Sequence, residues 1–335
     1  MPPSSPATIR DIARQASTSI ATVSRYMNQS GYVESGTAKR IEQAIQEAHY
    51  VPNASARRLK GQSPALLALL LQDLRGDFDA VIAQTIERSV RANGDALMVC
   101  DTGGQSAEGI ASIATMRRMG VSGLVVAMTS LDAHMLEALQ QSGIPVVYVG
   151  EVDTYPLDTV CAPAHRGTQL TTEHLLQLGH RRIAFAGAVE MMGRKHGYCQ
   201  ALQAQGISPE ASLMAERGAT LQAGYEMARE LIARQPTAIC CANDWIAMGV
   251  LQALQQRGLS VPGQISVTGV GDLPVAELVR PALTTVRRDG VDFAAKAIAC
   301  LRRRMEDFEM PQMTYALSDA LVVRSSTAAP SRKFY

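Results

Sequence analysis

Apolar positions recur at two different periods along this chain, and the change between them divides it. Up to about residue 50 the period is helical. Ile9, Ile12, Ala13 and Ala16 form one stripe behind Thr8, a residue suited to capping a helix start. A polar "ST" interrupts that run, and Ser19 is placed to cap a second helix reaching about Asn28. Periodicity turns Val23 and Met27 inward together with Ile20, leaving Ala21, Thr22 and Arg25 exposed. After a loop holding Gly31 and Gly36, a third stripe of Ile41, Ala44, Ile45 and Ala48 runs to His49. Two short helices, a three-residue turn and a third helix describe either a helix-turn-helix unit or an ordinary three-helix subdomain.

From Ala65 onward, continuous apolar runs alternate with helical patterns. "ALLALLLQD", "DALMVCD", "SGLVVAM" and "IPVVYVG" are separated by helices expected near 79–93, 106–119 and 131–142. "RRIAFAG", "TAICCAN" and "ISVTGV" continue the series. Apolar runs of this kind between amphipathic helices imply buried parallel strands with helices on both faces. Two such sheets make two lobes with a cleft between them.

Charge changes the picture of the first segment more than that of the rest. The whole chain carries a net charge of only +1, but residues 1–61 hold eight Lys/Arg against four acids, a net of +4 over a body at −3. A small basic head suits a nucleic-acid partner. The stretch "YVPNASARRLKGQ" (50–62) sharpens this. It has Pro52, then Asn53 as an N-cap, then a run too short to be a stable helix alone. Its apolar residue, Leu59, stands among Arg57, Arg58 and Lys60, which is poor core material. Such a leucine suits a wedge between base steps of the minor groove with the cations on phosphates; a flexible basic linker is the alternative.

Several function classes find no support. No G-x-x-x-x-G-K-[ST], G-x-G-x-x-G, G-x-S-x-G or H-E-x-x-H pattern occurs, and "GVGDLP" (269–274) lacks the dinucleotide spacing. His174 and His180 flank a helix end and read as surface or cap residues rather than metal ligands. The six cysteines show no C-x-x-C spacing and read as reduced thiols. No apolar run is long enough for a membrane span, and "MPPSSPA" has no secretory character, so a cytoplasmic protein is expected.

"TIRDIARQASTSIATVSRYMN", with its "TVSR", followed by the "Y-x-P-N-x-x-A-R-x-L" pattern of "YVPNASARRLK", resembles the head and hinge of the LacI/GalR family of bacterial transcriptional regulators. The resemblance continues through the body in "HLLQLGHRRIAFAG" (174–187), "RKHGYCQAL" (194–202), "PTAICCANDWIAMG" (236–249), "GLSVPGQISVTGVGD" (258–272), "PALTTVRRD" (281–289) and "LVVRSST" (321–327). It implies an all-α helix-turn-helix head on a two-lobed α/β body of the periplasmic-binding-protein type, with two doubly wound parallel sheets. Expected segments are the head at 1–51, a hinge at 52–62 and the effector-binding and dimerisation body at 63–335. Within the body, one lobe takes about 63–162 and 290–320, the other about 163–289 and 321–335.

The same resemblance implies the site residues. Ile20, Ala21 and Arg25 take the base-reading positions, which turns Ile20 outward against its periodicity, and Arg25 is suited to a bidentate contact with guanine. Thr8, Ser19, Thr22, Ser24 and Asn28 support them, and Asn53, Ala56, Arg57, Leu59 and Lys60 form the hinge contact, with Leu59 as the lever. In the cleft, Phe78, Arg194, Asn243, Asp244, Trp245, Gly271 and Asp272 are the expected effector contacts, with Arg194 clamping a ligand oxygen. Double-stranded palindromic operator DNA, a small-molecule effector and a second copy of the chain are the implied partners. Neither a cofactor, an enzyme activity nor a membrane partner is expected.

Three departures from the family pattern stand out. Glu34 replaces a small capping residue before the third helix, so Ser35 or Thr37 is expected to cap instead. Gly271 stands where an Asp is usual, and Pro163 and Ala164 replace a D-N pair in "VCAPAHRG" (160–167). Fewer carboxylates around a retained Arg194 point to a sugar acid or other small carboxylate as effector.

Overall fold

A computed structural model describes residues 7–27, 30–48, 50, 64–128, 130–151, 154–189 and 191–331. The chain separates into two compact units, Met1–Pro64 and Ala65–Tyr335.

The first unit contains α1 (Ile9–Gln15), α2 (Ile20–Met27) and α3 (Ser35–Glu47). Thr8 and Asp11 cap α1 reciprocally: the Asp11 amide donates to Thr8 Oγ1 at 3.4 Å and the Thr8 amide to Asp11 Oδ2 at 3.0 Å. The turn into α2 places Ser17 in the left-handed region at φ 50°, and Ser19 Oγ accepts the Thr22 amide at 3.0 Å. Ile12, Ala13, Ala16, Val23, Ile41 and Ala44 form the buried core. α3 starts differently from expectation, since neither Ser35 nor Thr37 caps it. Glu34 stands at the N-cap without a side-chain bond to the backbone, and its carboxylate accepts the Thr37 hydroxyl at 3.0 Å. Thr37 is thereby held by Glu34 and Arg40 rather than by free amides.

The second unit begins with β1 (Leu66–Leu71), α4 (Asp77–Ala92), β2 (Ala96–Asp101), α5 (Ser106–Met119), β3 (Gly123–Ala127), α6 (Ala133–Ser142), β4 (Val146–Gly150) and β5 (Asp158–Cys161). It continues through α7 (Ala164–Gln177), β6 (Ile183–Ala188), α8 (Met192–Ala204), β7 (Met214–Arg217), α9 (Leu221–Ile232), β8 (Ala238–Cys241), α10 (Asp244–Gln256), β9 (Ser266–Thr268), α11 (Pro274–Leu278) and β10 (Thr285–Arg287). It ends with α12 (Gly290–Glu306), β11 (Thr314–Ala316) and β12 (Ala320–Val322).

These strands make two parallel sheets, ordered β11-β5-β4-β3-β1-β2 and β7-β6-β8-β9, and an antiparallel pair, β10 with β12. The apolar runs of β1, β3 and β4 are continuous because both faces are covered. The run of β2, read as a buried strand, instead lies half exposed because β2 is the edge of its sheet. Along β1, Leu67, Leu69 and Leu71 pack toward α4 and α12, while Ala68 and Leu70 pack toward α5 and α6. The second sheet has its own core around Phe185, Tyr198 and Ile239. The chain passes between the sheets after β5, after β10 and after β11, so residues from all three passages meet near one place.

Candidate functional site

On α2 the hydrophobic side is narrow, because an eight-residue helix offers only Val23 as a fully buried anchor. Ile20, at its first position, is 45% exposed, which overturns the inward placement suggested by periodicity. Ala21 and Arg25 are exposed, and Thr22 and Ser24 are half-buried. Thr8 and Ser19 spend side-chain oxygens on capping. Gly31 lies against the Arg25 side chain, where an added Cβ would come within 3.2 Å of Arg25 Cδ. The next residue, Tyr32, is 85% exposed, and sequence reasoning passed over it because a lone aromatic in a loop carries no periodic signal. Asn28, Asn53, Ala56, Arg57, Leu59 and Lys60 lie outside the described residues.

In the body, Arg194 sits in the first turn of α8. Gly193 and Gly197 let α8 approach α7 closely: a Cβ on either would overlap Ala164 or the His165 carbonyl. The Thr168 hydroxyl adds a bond to the Arg194 carbonyl. From this position the guanidinium donates through Nη1 to the Ala242 carbonyl at 2.6 Å and through Nη2 to Glu151 Oε1 at 2.9 Å. Its Nε is buried with no partner among the described residues. Glu151, just beyond β4, also receives Arg288 Nη1 at 2.7 Å, and Arg288 grips Asp319 with two further bonds of 3.1 Å. Burial by itself raises the Glu151 pKa, but the two guanidiniums outweigh it and hold the carboxyl below its ordinary range. Neither Glu151 nor Arg288 was singled out from sequence, since their roles depend on partners far away along the chain.

The other expected contacts divide in two. Asn243 is the N-cap of α10, accepting the Ile246 amide at 2.8 Å. Asp244 is the helix's first residue and is not its cap. Its Oδ2 accepts the Leu273 amide at 2.8 Å and its Oδ1 the Thr285 hydroxyl at 2.6 Å. Burial raises its pKa. Gly269 permits this, because a Cβ there would collide with Asp244 Oδ1. Asp272 is likewise occupied, by Arg287 Nε and Arg324 Nη2, each at 2.6 Å. Gly271 pairs in a bridge with Arg287 at φ 140°. Asp244, Gly271 and Asp272 thus build the wall of the second lobe with their polar atoms already satisfied by the chain.

Trp245 and Phe78 face the junction differently. Trp245 is 41% exposed, and its indole Nε1 donates to Asp77 Oδ2 at 3.2 Å, so a bond joins the first turn of α10 to that of α4. Phe78 stacks edge-on against Phe293 of α12, with ring centroids 5.5 Å apart. The expectation for His180 is corrected: it is buried, bonded to Thr237 Oγ1, Ser266 Oγ and the Ala328 carbonyl. The segment after β12 covers it, a contact that local sequence does not announce. His174 is half-buried against Thr327.

Asp79, also missed, is buried at the third position of α4. One carboxylate oxygen accepts the Asp73 amide at 3.2 Å; the other has no partner among the described residues. Burial pushes its pKa up to about 6, with Asp73 and Asp101 adding repulsion. A raised folded-state pKa means that the folded chain binds this proton more tightly than the unfolded chain. The resulting penalty is absent below about pH 4 and fully developed above about pH 6. Asp79→Asn is therefore expected to stabilise the body at pH 8 by about 2–3 kcal/mol and to change little at pH 4. Urea denaturation at the two pH values measures this, and a variant effect independent of pH would refute it.

Comparison with known proteins agrees with this geometry. Residues 8–53 match the model for bacterial regulatory proteins of the lacI family, and residues 172–327 match a periplasmic binding protein-like domain. The chain is 30% identical over 331 residues to the HTH-type transcriptional regulator DegA of Bacillus subtilis, covering 96% of this chain and 98% of that protein. It is 30% identical over 332 residues to the HTH-type transcriptional regulator GalR of Escherichia coli, covering 97% of each. The crystal structure of the lac repressor dimer bound to operator and the anti-inducer ONPF superposes with a TM-score of 0.86 at 26% identity, over 97% of this chain and 100% of that one. With a helix-turn-helix head, a two-lobed body and full-length relatives of this kind, the chain belongs to the lacI family of bacterial regulatory proteins, the DNA-binding transcriptional regulators.

Proposed function

We propose that this regulator represses genes of carbohydrate or sugar-acid metabolism, binding an inverted-repeat operator as a homodimer at the bacterial nucleoid. The observation that carries the DNA contact is the outward face of α2, where Arg25, Ala21 and Ile20 stand exposed on a helix anchored by Val23. Arg25 reads a guanine edge in the major groove, Ile20 meets a thymine methyl, and Thr22 and Ser24 position them on phosphates. One short helix makes few contacts, and a two-fold dimer doubles them on a palindrome. The hinge at 52–62 pairs with its copy in the minor groove, with Leu59 as the wedge and Asn53, Ala56, Arg57 and Lys60 beside it. Leu59→Ala is expected to lower specific affinity while leaving non-specific affinity nearly unchanged.

The effector enters the cleft between the lobes of residues 63–335, at Arg194, with Asn243, Trp245 and Phe78 around it. Its binding shifts the population of DNA-competent dimers. A sugar acid or other small carboxylate is the proposed ligand class, on the strength of Pro163, Ala164 and Gly271 where the family pattern carries acidic or amide groups. The test is a mobility-shift assay on palindromes from the neighbouring DNA, with and without aldonates. Retardation that aldonates alter supports the whole reading. Retardation altered only by neutral hexoses removes the ligand class, and absence of retardation removes the repressor assignment.

A further inference from the structure

We infer that Glu151 is a resident carboxylate occupying the anion seat of Arg194, and that an acidic effector binds by displacing it. This rests on the reading of the cleft as the effector site.

The edge of a guanidinium that carries Nε and Nη2 is built to receive both oxygens of one carboxylate. On Arg194 that edge is half used. Glu151 Oε1 takes Nη2 at 2.9 Å, while the buried Nε has no partner among the described residues. As placed, Glu151 turns the single oxygen Oε1 to both guanidiniums, Arg194 at 2.9 Å and Arg288 at 2.7 Å, and gives nothing to Nε. A free carboxylate has no such obligation. Lying along the edge, it satisfies Nε and Nη2 together and gives the buried Nε a partner.

Charge dictates exchange rather than addition. Arg194, Arg288, Glu151 and Asp319 form a cluster with two positive and two negative groups. A ligand carboxylate added beside Glu151 would leave an uncompensated negative charge in a site largely shielded from water. Asp319 is not the group that leaves, being 1% exposed and held by both remaining nitrogens of Arg288. Glu151 is 25% exposed and has the route to water. Pro163, Ala164 and Gly271 therefore do not by themselves open the site to anions, because Glu151 supplies a carboxylate from the other lobe.

The test uses the full chain with acetate as the probe, read by thermal denaturation and by the fluorescence of Trp245, the only tryptophan. Glu151→Gln keeps an oxygen for the arginines and removes the charge. Acetate is expected to raise the melting temperature of this variant far more than that of the wild type. Its half-saturating concentration should be lower by at least about tenfold, as expected when a like charge leaves a shielded site. Arg194→Gln in the same background should abolish the response. Glu151→Asp, which keeps the charge on a shorter arm, should respond between the two and covers the case in which the glutamine variant does not fold. Equal acetate responses in wild type and both variants would overturn the inference, as would a response that survives Arg194→Gln. Operator release by aldonates tests the effector site itself, so the two ideas can fail separately.

Discussion

Arg25→Ala is expected to weaken operator binding by about 30- to 25,000-fold, since a bidentate arginine–guanine contact discriminates by about 1–3 kcal/mol and a dimer makes it twice. Arg25 is exposed in the unbound head and makes no core contact, so the melting temperature should not move with the affinity. The loss should be selective. On scrambled DNA of the same length and salt the variant gives up only the Coulombic share of one cation per head. Arg25→Lys keeps that share but lacks the planar fork that spans two acceptors, so on the operator it should lose nearly as much as alanine, less the Coulombic share, and on scrambled DNA it should behave like wild type. Anisotropy titrations of the three proteins on both DNAs decide the matter. A loss equal on operator and scrambled DNA would reduce Arg25 to a phosphate contact. Gly31 is tied to the same result, because its missing Cβ leaves room for the Arg25 stem.

The largest effect on stability is expected at Arg304, near the C-terminal end of α12. Its Nε and Nη2 grip both oxygens of Asp158 at 2.7 and 2.8 Å, and its nitrogens also reach the Phe308, Met310 and Pro311 carbonyls. Asp158 has no exposed side-chain surface and also receives the Met313 amide at 2.8 Å. One ion pair thus joins α12 to β5 and to the segment that leads into β11, a three-residue strand at the sheet edge. Arg304→Met strands the Asp158 charge, and breaking one side of a buried pair costs about 3–5 kcal/mol. Adding Asp158→Asn removes the stranded charge and should restore a large part of that loss. Chemical denaturation of the single and double variants measures the coupling. Simple additivity of the two substitutions would show that the pair does not act as a unit.

Much of this was open to reading before any coordinates. Helical stripes of Ile12, Ala13, Ala16 and Val23, and the caps at Thr8 and Ser19, are local properties, and the head forms as they require. The apolar run "LLALLL" reads as a strand covered on both faces, and β1 is one, while the apolar run of β2 ended at an exposed sheet edge that its own residues do not announce. Local pattern failed where an element was too short to average over. Ile20 overhangs the end of an eight-residue helix, and Glu34 took a cap position without capping.

The cleft was legible in only one of its partners. Arg194 stood out by family resemblance, but Glu151, Arg288 and Asp319 come from positions far apart along the chain. Asp79 and His180 were hidden for the same reason, their burial depending on what the fold lays over them. Periodicity and capping act over a few residues, so the sequence by itself determined the elements, the basic head and the membership of a two-lobed regulator family. Charge pairing acts through space between segments that only folding brings together. The tertiary structure alone decided that the arginine of the cleft is already holding a carboxylate.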